Sequence, residues 1–261
     1  MSSFENVEVF EDTKKLCETN GKIKEVLARS VEEEELSAVD KARFEDEAKI
    51  VVSIKRTFEA AADYAGQKVA VHNFASATNP GGGVTRGSSA QEECLCRCSV
   101  LYFCLSVSEM MKGFYYPHRN AKNPINNADI IYTPDVTVFK TDTGRPKLMN
   151  EAEWYDVDVI TCAAPNKAAA QKYENVSDRE NTEALKSRIQ FVLDIAEKNE
   201  VKTLILGAYG CGVFGQDAKE VAGIFKEFLT TTHTSFDTVV FAVPDGKNGN
   251  YRRFAEVFKE N

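Results

Sequence analysis

Asn73 to Glu93 reads NFASATNPGGGVTRGSSAQEE, and this stretch decides how the rest of the chain is understood. It continues an apolar run, Lys68–Phe74, whose Val69, Ala70, Val71 and Phe74 predict a buried strand. The strand pattern ends at Pro80 and three consecutive glycines, Gly81–Gly83, a composition that the interior of neither helix nor strand tolerates. After seven intervening residues Gln91-Glu92-Glu93 opens a segment with helical periodicity. A glycine run lets a ligand lie against bare backbone N–H groups, and a carboxylate pair beside it offers acid–base chemistry. A surface loop followed by an acid-rich first helical turn explains any one of these features. Their conjunction points to a small anionic ligand held by backbone and attacked by a carboxyl group.

A chain of 261 residues is long enough for one large core, and 43% hydrophobic with 28% charged residues is ordinary for a globular protein. Net charge is −8, which argues against direct nucleic-acid binding. No apolar run reaches membrane-spanning length and Met1-Ser-Ser-Phe-Glu lacks signal-peptide character, so a cytoplasmic location is expected. Cys94, Cys96, Cys98 and Cys104 cluster, but two-residue spacing on a helix spreads side chains around the axis. With no CxxC or HxxxH pattern among the remaining cysteines and the scattered His72, His118 and His233, they read as reduced thiols, and neither metal nor cofactor is expected.

Along the chain, residues 1–66 predict an N-terminal helical extension: an amphipathic helix from Asp12 to about Arg29, an acidic run Glu32–Glu35, and a second helix from Lys41 to Ala65, ended by Gly66. From 67 to 261 strands and helices alternate. Strands are expected at Lys68–Phe74, Val157–Ala164, Lys202–Gly207 and Asp237–Val243. Helices are expected at Gln91–Met110, Asp178–Asn199, Asp217–Thr231 and Asn248–Lys259. Tyr115–Asn127 reads as loop, and Asp129–Lys140 as two short β runs broken at Pro134-Asp135, a hairpin or a bend. The pattern implies an α/β sandwich, a mixed sheet with helices on both faces.

A second glycine loop, Gly207-Ala-Tyr-Gly210-Cys-Gly212-Val-Phe-Gly215, follows the strand at Lys202–Gly207. Its GxGxxG does not make a dinucleotide fold, which wants that motif in the first strand–helix turn and an acid at the end of the following strand. Free N–H groups at a helix start still bind phosphate. Open α/β sheets gather such loops at one edge. Two backbone cradles, Phe214 and a carboxylate pair therefore suggest a nucleoside diphosphate carrying a sugar at its reactive end.

The GGG-x(6–8)-QEE pattern formed by Gly81–Gly83 and Gln91–Glu93 resembles the signature of microbial-type poly(ADP-ribose) glycohydrolases. The loop GAYGCGVFG is similar to the diphosphate loop of macrodomains, to which those enzymes belong. IIYTPDVTVFK, VDVITCAAPN and VVFAVPD follow in the family's order, so the resemblance spans nearly the whole chain. It implies a macrodomain-like three-layer sandwich that hydrolyses ribose–ribose bonds of ADP-ribose polymer and releases ADP-ribose. By the same resemblance Glu93 is the catalytic carboxyl and Glu92 its neighbour on the ribose. Asn73, Asn79, Gly81, Gly82, Gly83 and Gln91 approach the reactive end, while Gly210, Cys211, Gly212, Val213 and Phe214 wrap the diphosphate. An aromatic near the last helix, Tyr251 or Phe254, is expected beneath adenine. Gln216-Asp217 departs from the Asn and Pro common at that helix start, but Asp217 remains a good N-cap.

Glycosidic cleavage needs a proton for the leaving oxygen and a group that delivers water. Adjacent helical residues point roughly 100° apart, so Glu92 and Glu93 cannot flank a bond as two opposed acids. One carboxyl, Glu93, then serves as acid and afterwards as base, with the substrate diphosphate stabilising the cation. Burial and like charge should raise the proton affinity of one of the pair. Two rival readings share the pocket: a macrodomain that binds ADP-ribose without cleaving it, and a hydrolase of single ADP-ribose units on protein or nucleic acid. Arg86 is the one basic residue between Gly81 and Glu93. Binding of a single unit is therefore expected to depend little on salt, with longer polymer gaining little.

Overall fold

The computed structural model describes residues 1–21, 23, 29–31, 48–126, 129–233 and 235–259. Among them seven strands make one sheet: β1 (Arg29–Val31), β2 (Lys49–Ser53), β3 (Val69–Phe74), β4 (Ile130–Val138), β5 (Tyr155–Cys162), β6 (Thr203–Leu206) and β7 (Thr238–Ala242). Their spatial order is β1-β4-β5-β3-β6-β7-β2. The five strands from β5 to β2 run parallel, whereas β4 is antiparallel to both β5 and β1. This is the mixed sheet that the alternating pattern implies.

Period-two alternation divides the core into two layers. Val69 and Val71 of β3, Ile205 of β6 and Val240 of β7 join Phe10, Phe58, Leu95 and Phe114 on one face. Ala70, Leu204, Val239 and Phe241, one step along the same strands, join Leu185, Ile189, Phe225 and Phe254 on the other. The first face is covered by α1 (Ser3–Thr19), α2 (Thr57–Ala62), α3 (Gln91–Cys98), α4 (Leu101–Leu105) and α5 (Ser108–Met110). The second is covered by α8 (Asp178–Lys198), α9 (Ala218–Thr231) and α10 (Asn250–Phe258). Two short helices, α6 (Tyr116–Ala121) and α7 (Lys167–Tyr173), lie near the loops at one sheet edge. No helix among the described residues is long and apolar enough to cross a membrane.

Three expectations change here and an open one is decided. The helix expected from Lys41 to Ala65 is instead strand β2 followed by the short α2; its first residues, 41–47, lie outside the described residues. Ile50, Val51 and Val52 are β-branched, stiff at χ1 and better packed on a sheet, and β2 pairs with β7 as a parallel edge strand. Residues 1–66 thus contribute strands as well as helices. The helix expected at Asp12–Arg29 begins earlier, capped by Ser2, and ends at Thr19; most of residues 20–28 and the Glu32–Glu35 run lie outside the described residues. Of the hairpin or bend expected in Asp129–Lys140, the structure shows the bend, one strand with a bulge: register shifts between Thr133 and Val136, and Asp135 has φ +50°. Finally, Gln91–Met110 is not one helix. Ser99 is extended (φ −148°, ψ 179°) and bridges Val138, which separates α3 from α4.

Parallel strands bring their carboxyl ends to one edge of the sheet. The loops after β2, β3, β5, β6 and β7 therefore meet there. Because β4 runs the other way, its start and the preceding α6 come to the same edge, tied by Asn126 Nδ2 donating to Ala164 O at 2.8 Å and Asn166 N to Pro124 O at 2.9 Å.

Candidate active site

Gln91 hangs the start of α3 from the end of β3. Its Oε1 accepts from Phe74 N at 2.9 Å, and its Nε2 donates to His72 O at 2.7 Å and Thr57 Oγ1 at 3.1 Å. The amide's donors are both used by protein, so Gln91 acts on the site by holding α3 in place.

That anchoring buries the two glutamates that follow. Glu92 is 3% and Glu93 7% exposed. Glu92 Oε2 accepts from Ser76 N at 2.8 Å, and Asn73 Nδ2 reaches its Oε1 at 3.4 Å while also donating to Thr161 Oγ1 at 3.2 Å. Glu93 Oε1 accepts from Gly83 N at 2.8 Å, whereas its Oε2 has no partner among the described residues. Both carboxyl groups converge on Gly82. A Cβ there would fall 2.6 Å from Glu93 Oε1 and 3.1 Å from Glu92 Oε2, and φ is +58°. Only glycine lets the chain press so closely on the pair in this conformation.

The rise in proton affinity anticipated for one member of the pair falls on Glu92. Burial pushes its carboxyl up to about 8, opposed by the Ser76 N–H and reinforced by the neighbouring Glu93 charge. A raised carboxyl means that the fold keeps a proton which the unfolded chain loses above about 4.5. This contribution therefore weakens stability as pH climbs from about 4.5 towards 8. Glu92→Gln should remove that decline: its melting temperature should fall less than the parent's between pH 5 and pH 8, by thermal unfolding followed by circular dichroism. Equal slopes would contradict a protonated Glu92. Buried His72, its proton affinity lowered to about 3 by burial, contributes the opposite slope below its ordinary range, equally in both proteins.

The second loop is braced from behind. Gln216 Nε2 donates to Pro165 O and Asn181 Oδ1, both at 2.8 Å, and Asn181 Nδ2 donates back to Gln216 Oε1 at 2.9 Å. A Cβ at Gly210 would meet Gln216 Cγ at 2.7 Å. The residue that departs from the family pattern is thus a buried tie, and Asp217 Oδ1 caps α9 through the Lys219 and Glu220 N–H groups. Gly212 has open space about it, and Val213 is 89% exposed.

Two adjoining cavities lie between the loops. One, of about 320 Å³, is walled by Gln91, Gly210, Gly212, Val213, Phe214 and Asn250, among others. The other, of about 230 Å³, runs past Arg56, Thr57 and Cys94 to Pro244 and Asn248. Phe74, Ala90, Gln91, Ala208 and Asn250 line both. Cys211 does not line either: its thiol turns to Tyr209 O at 3.4 Å and burial pushes it up to about 12, while its carbonyl receives Asn250 Nδ2 at 3.5 Å. Phe254 is fully buried against Phe241 and is eliminated as a stacking platform. Tyr251 is half-buried and stands outside both walls. The cysteines of α3 are buried thiols; Cys94 sits 3.3 Å from both Arg56 Nη1 and Arg97 Nη2.

Asn79 is exposed, and Arg119 of α6 holds it. Arg119 Nε donates to Thr78 O at 2.6 Å and Nη2 to Asn79 Oδ1 at 3.3 Å. Arg119 and Asn250 are absent from the sequence reading. Pro117 marks Tyr115–Asn127 as loop, yet α6 continues without a break from a π-helical turn, Met111–Tyr115, and carries Pro117 near its start. Asn250 carries no local signature; only the fold brings it beside the loop.

The sequence model described as microbial-type PARG, catalytic domain, matches residues 5–141, just over half of the chain. Curated proteins show no sequence match. Among solved structures, the poly(ADP-ribose) glycohydrolase of Thermomonospora curvata is 30% identical over 98% of this chain and 100% of that one, with a TM-score of 0.83. The same enzyme bound to the inhibitor ADP-HPD gives 31% identity over the same shares and a TM-score of 0.82. That of Deinococcus radiodurans in complex with ADP-ribose is 34% identical over 81% of this chain and 84% of that one, TM-score 0.75. The glycine-bound glutamate pair, the two loops at one sheet edge and these likenesses agree: the chain belongs to the microbial-type poly(ADP-ribose) glycohydrolases, glycoside hydrolases acting on poly(ADP-ribose).

Proposed function

We propose that Glu93 is the proton donor for cleavage of the ribose–ribose bond and that Glu92 holds the reactive ribose. The observation that carries this is the buried Oε2 of Glu93, without a partner beneath the Gly82–Gly83 backbone. Glu92, by contrast, is fixed by Ser76 N, and its raised proton affinity makes it a neutral hydrogen-bond donor to a sugar hydroxyl.

ADP-ribose lies with its adenosine in the cavity towards Pro244 and Asn248 and near Tyr251. Its diphosphate rests on the N–H groups of Gly210–Phe214, and its distal ribose lies against Gly82 and Phe214. The first N–H groups of α3, which lack a side-chain cap, add to the anion-binding edge. Glu93 gives its proton to the 2′-oxygen of the departing unit as the C1″–O bond breaks. An oxocarbenium-like ribose forms, shielded by the diphosphate beside it. Water adds at C1″ and its proton returns to Glu93, which restores the acid. No second enzymic carboxylate is needed, consistent with both glutamates lying on one side of the ribose. Removal of ADP-ribose from protein side chains draws on the same pocket and is the second activity to assay.

Calorimetric titration with ADP-ribose tests the division of roles. Glu92→Ala should bind at least about tenfold more weakly than the parent through loss of a buried polar contact, while Glu93→Gln stays within about tenfold. Equal affinities for Glu92→Ala and the parent would contradict the placement of Glu92 on the ribose.

A further inference from the structure

A third cavity, of about 430 Å³, opens on the far side of Phe214. Ser76 and Thr78 of the first loop, Phe214 of the second, and His118, Arg119 and Lys122 at the end of α6 form much of its wall. Phe214 also lines the 320 Å³ cavity, which in turn shares five residues with the 230 Å³ one. The three therefore follow one another along the sheet edge, from Pro244 and Asn248 at one end to Lys122 at the other. The reaction described above uses the first two and stops at Phe214.

The third cavity differs in charge from the molecule around it. Among the described residues its wall holds two cationic side chains and no carboxylate, in a chain of net charge −8. Lys122 is exposed, and its ammonium has no hydrogen bond or ion pair to a described residue. Arg119 spends two of its nitrogens on Thr78 O and Asn79 Oδ1, which ties the cationic helix end to the first glycine loop. His118 is 4% exposed; its Nδ1 donates to Phe114 O at 2.8 Å, and its buried Nε2 has no partner among the described residues. A polar wall of this kind suits a ligand that carries both phosphate and sugar hydroxyl groups.

We infer that this cavity receives the adjoining ADP-ribose unit of the polymer, on the leaving-group side of the scissile bond. Lys122 and Arg119 draw in its diphosphate. The inference rests on the orientation proposed above, with the reactive ribose at Phe214. From there the departing 2′-oxygen leads outward past Ser76 and Thr78, and the next anionic group along the chain is that unit's diphosphate. In that orientation a single ADP-ribose ends at Phe214 and leaves Lys122 to the adjoining unit. Oligomer should therefore bind more tightly than monomer and with a salt dependence that monomer lacks, contrary to the expectation from charge along the sequence alone.

The test uses the Glu93→Gln protein, so that polymer survives, titrated with ADP-ribose and with a purified three-unit oligomer at about 50 and 200 mM salt. Each phosphate neutralised by a cation costs about threefold in affinity over that range. The oligomer should lose roughly three- to tenfold and the monomer almost nothing. Adding Lys122→Glu should bring oligomer affinity down to about the monomer's and flatten its salt slope. It should leave monomer binding within about twofold, as expected of an exposed residue off the monomer's path; Lys122→Arg should retain the oligomer preference. Oligomer binding no tighter than monomer in the Glu93→Gln protein overturns the inference, as does a Lys122→Glu loss shared equally by both ligands. Failure of the Glu93→Gln protein to bind ADP-ribose at all would instead overturn the underlying pocket reading.

Discussion

Glu93→Gln is expected to lower release of ADP-ribose from polymer by about 10²- to 10⁴-fold, the usual worth of a positioned proton donor. The amide keeps the size of the side chain, and its oxygen can still accept from Gly83 N, the one side-chain hydrogen bond that Glu93 makes among the described residues. Stability should therefore change little. Steady-state rates on polymer check the loss, and near-parental turnover would remove Glu93 from the chemistry. The expectation differs in kind from that for Glu92→Ala, whose loss should come mainly from substrate placement. Comparing affinities as well as rates separates an interaction made only in the transition state from one made in both states.

The second large effect should come from one methyl group. Gly82→Ala puts a Cβ 2.6 Å from Glu93 Oε1 and 3.1 Å from Glu92 Oε2, at a backbone φ of +58°. Left-handed backbone costs a non-glycine residue about 1 kcal/mol or more. Because the carboxyl oxygens are held by backbone N–H groups, they cannot simply swing aside. The loop or the glutamates must shift, and a displacement near 1 Å at the reacting centre costs on the order of a hundredfold in rate. Gly212→Val is the informative contrast. No described residue lies within 4 Å of a Cβ at Gly212, so the protein should fold normally. If the second loop cradles phosphate, that variant should nonetheless lose ADP-ribose binding, because a branched side chain would stand where the diphosphate needs bare backbone. Calorimetry with circular dichroism reads both properties; full binding by Gly212→Val would make the loop structural.

Much of this was legible in the residues. Strands β3, β6 and β7 each show a short apolar run ending at a loop, and α8 carries a capping box from Ser177 to Glu180 that marks its start. The two glycine loops and the glutamate pair identify themselves by composition, because glycine runs and adjacent acids have few other uses after a strand. What escaped were features decided by tertiary contact. Lys49–Ser53 has apolar residues that suit either period, and only the free edge of β7 makes it a strand. Pro134-Asp135 left hairpin and bend open, and the contact that decides for the bend is tertiary: Asp158 Oδ1 accepts from Asp135 N at 3.1 Å and holds a bulge within a continuous strand. Ser99 has no helix-breaking signature; its break follows from bridging to Val138. The cations were missed for the same reason: Arg119 and Lys122 lie far along the chain from both glycine loops, and α6 returns them to the sheet edge because β4 runs antiparallel.

The division between polymer and single-unit chemistry bears most directly on the central claim, that Glu93 splits ribose–ribose bonds of poly(ADP-ribose). Parent protein and Glu93→Gln should be incubated side by side with ADP-ribose polymer and with mono-ADP-ribosylated protein, and the products separated by chromatography. The predicted result is free ADP-ribose from polymer with the parent, little or none with Glu93→Gln, and much slower release from the modified protein. Polymer left intact by the parent, or shortened by Glu93→Gln at the parent's rate, would contradict it.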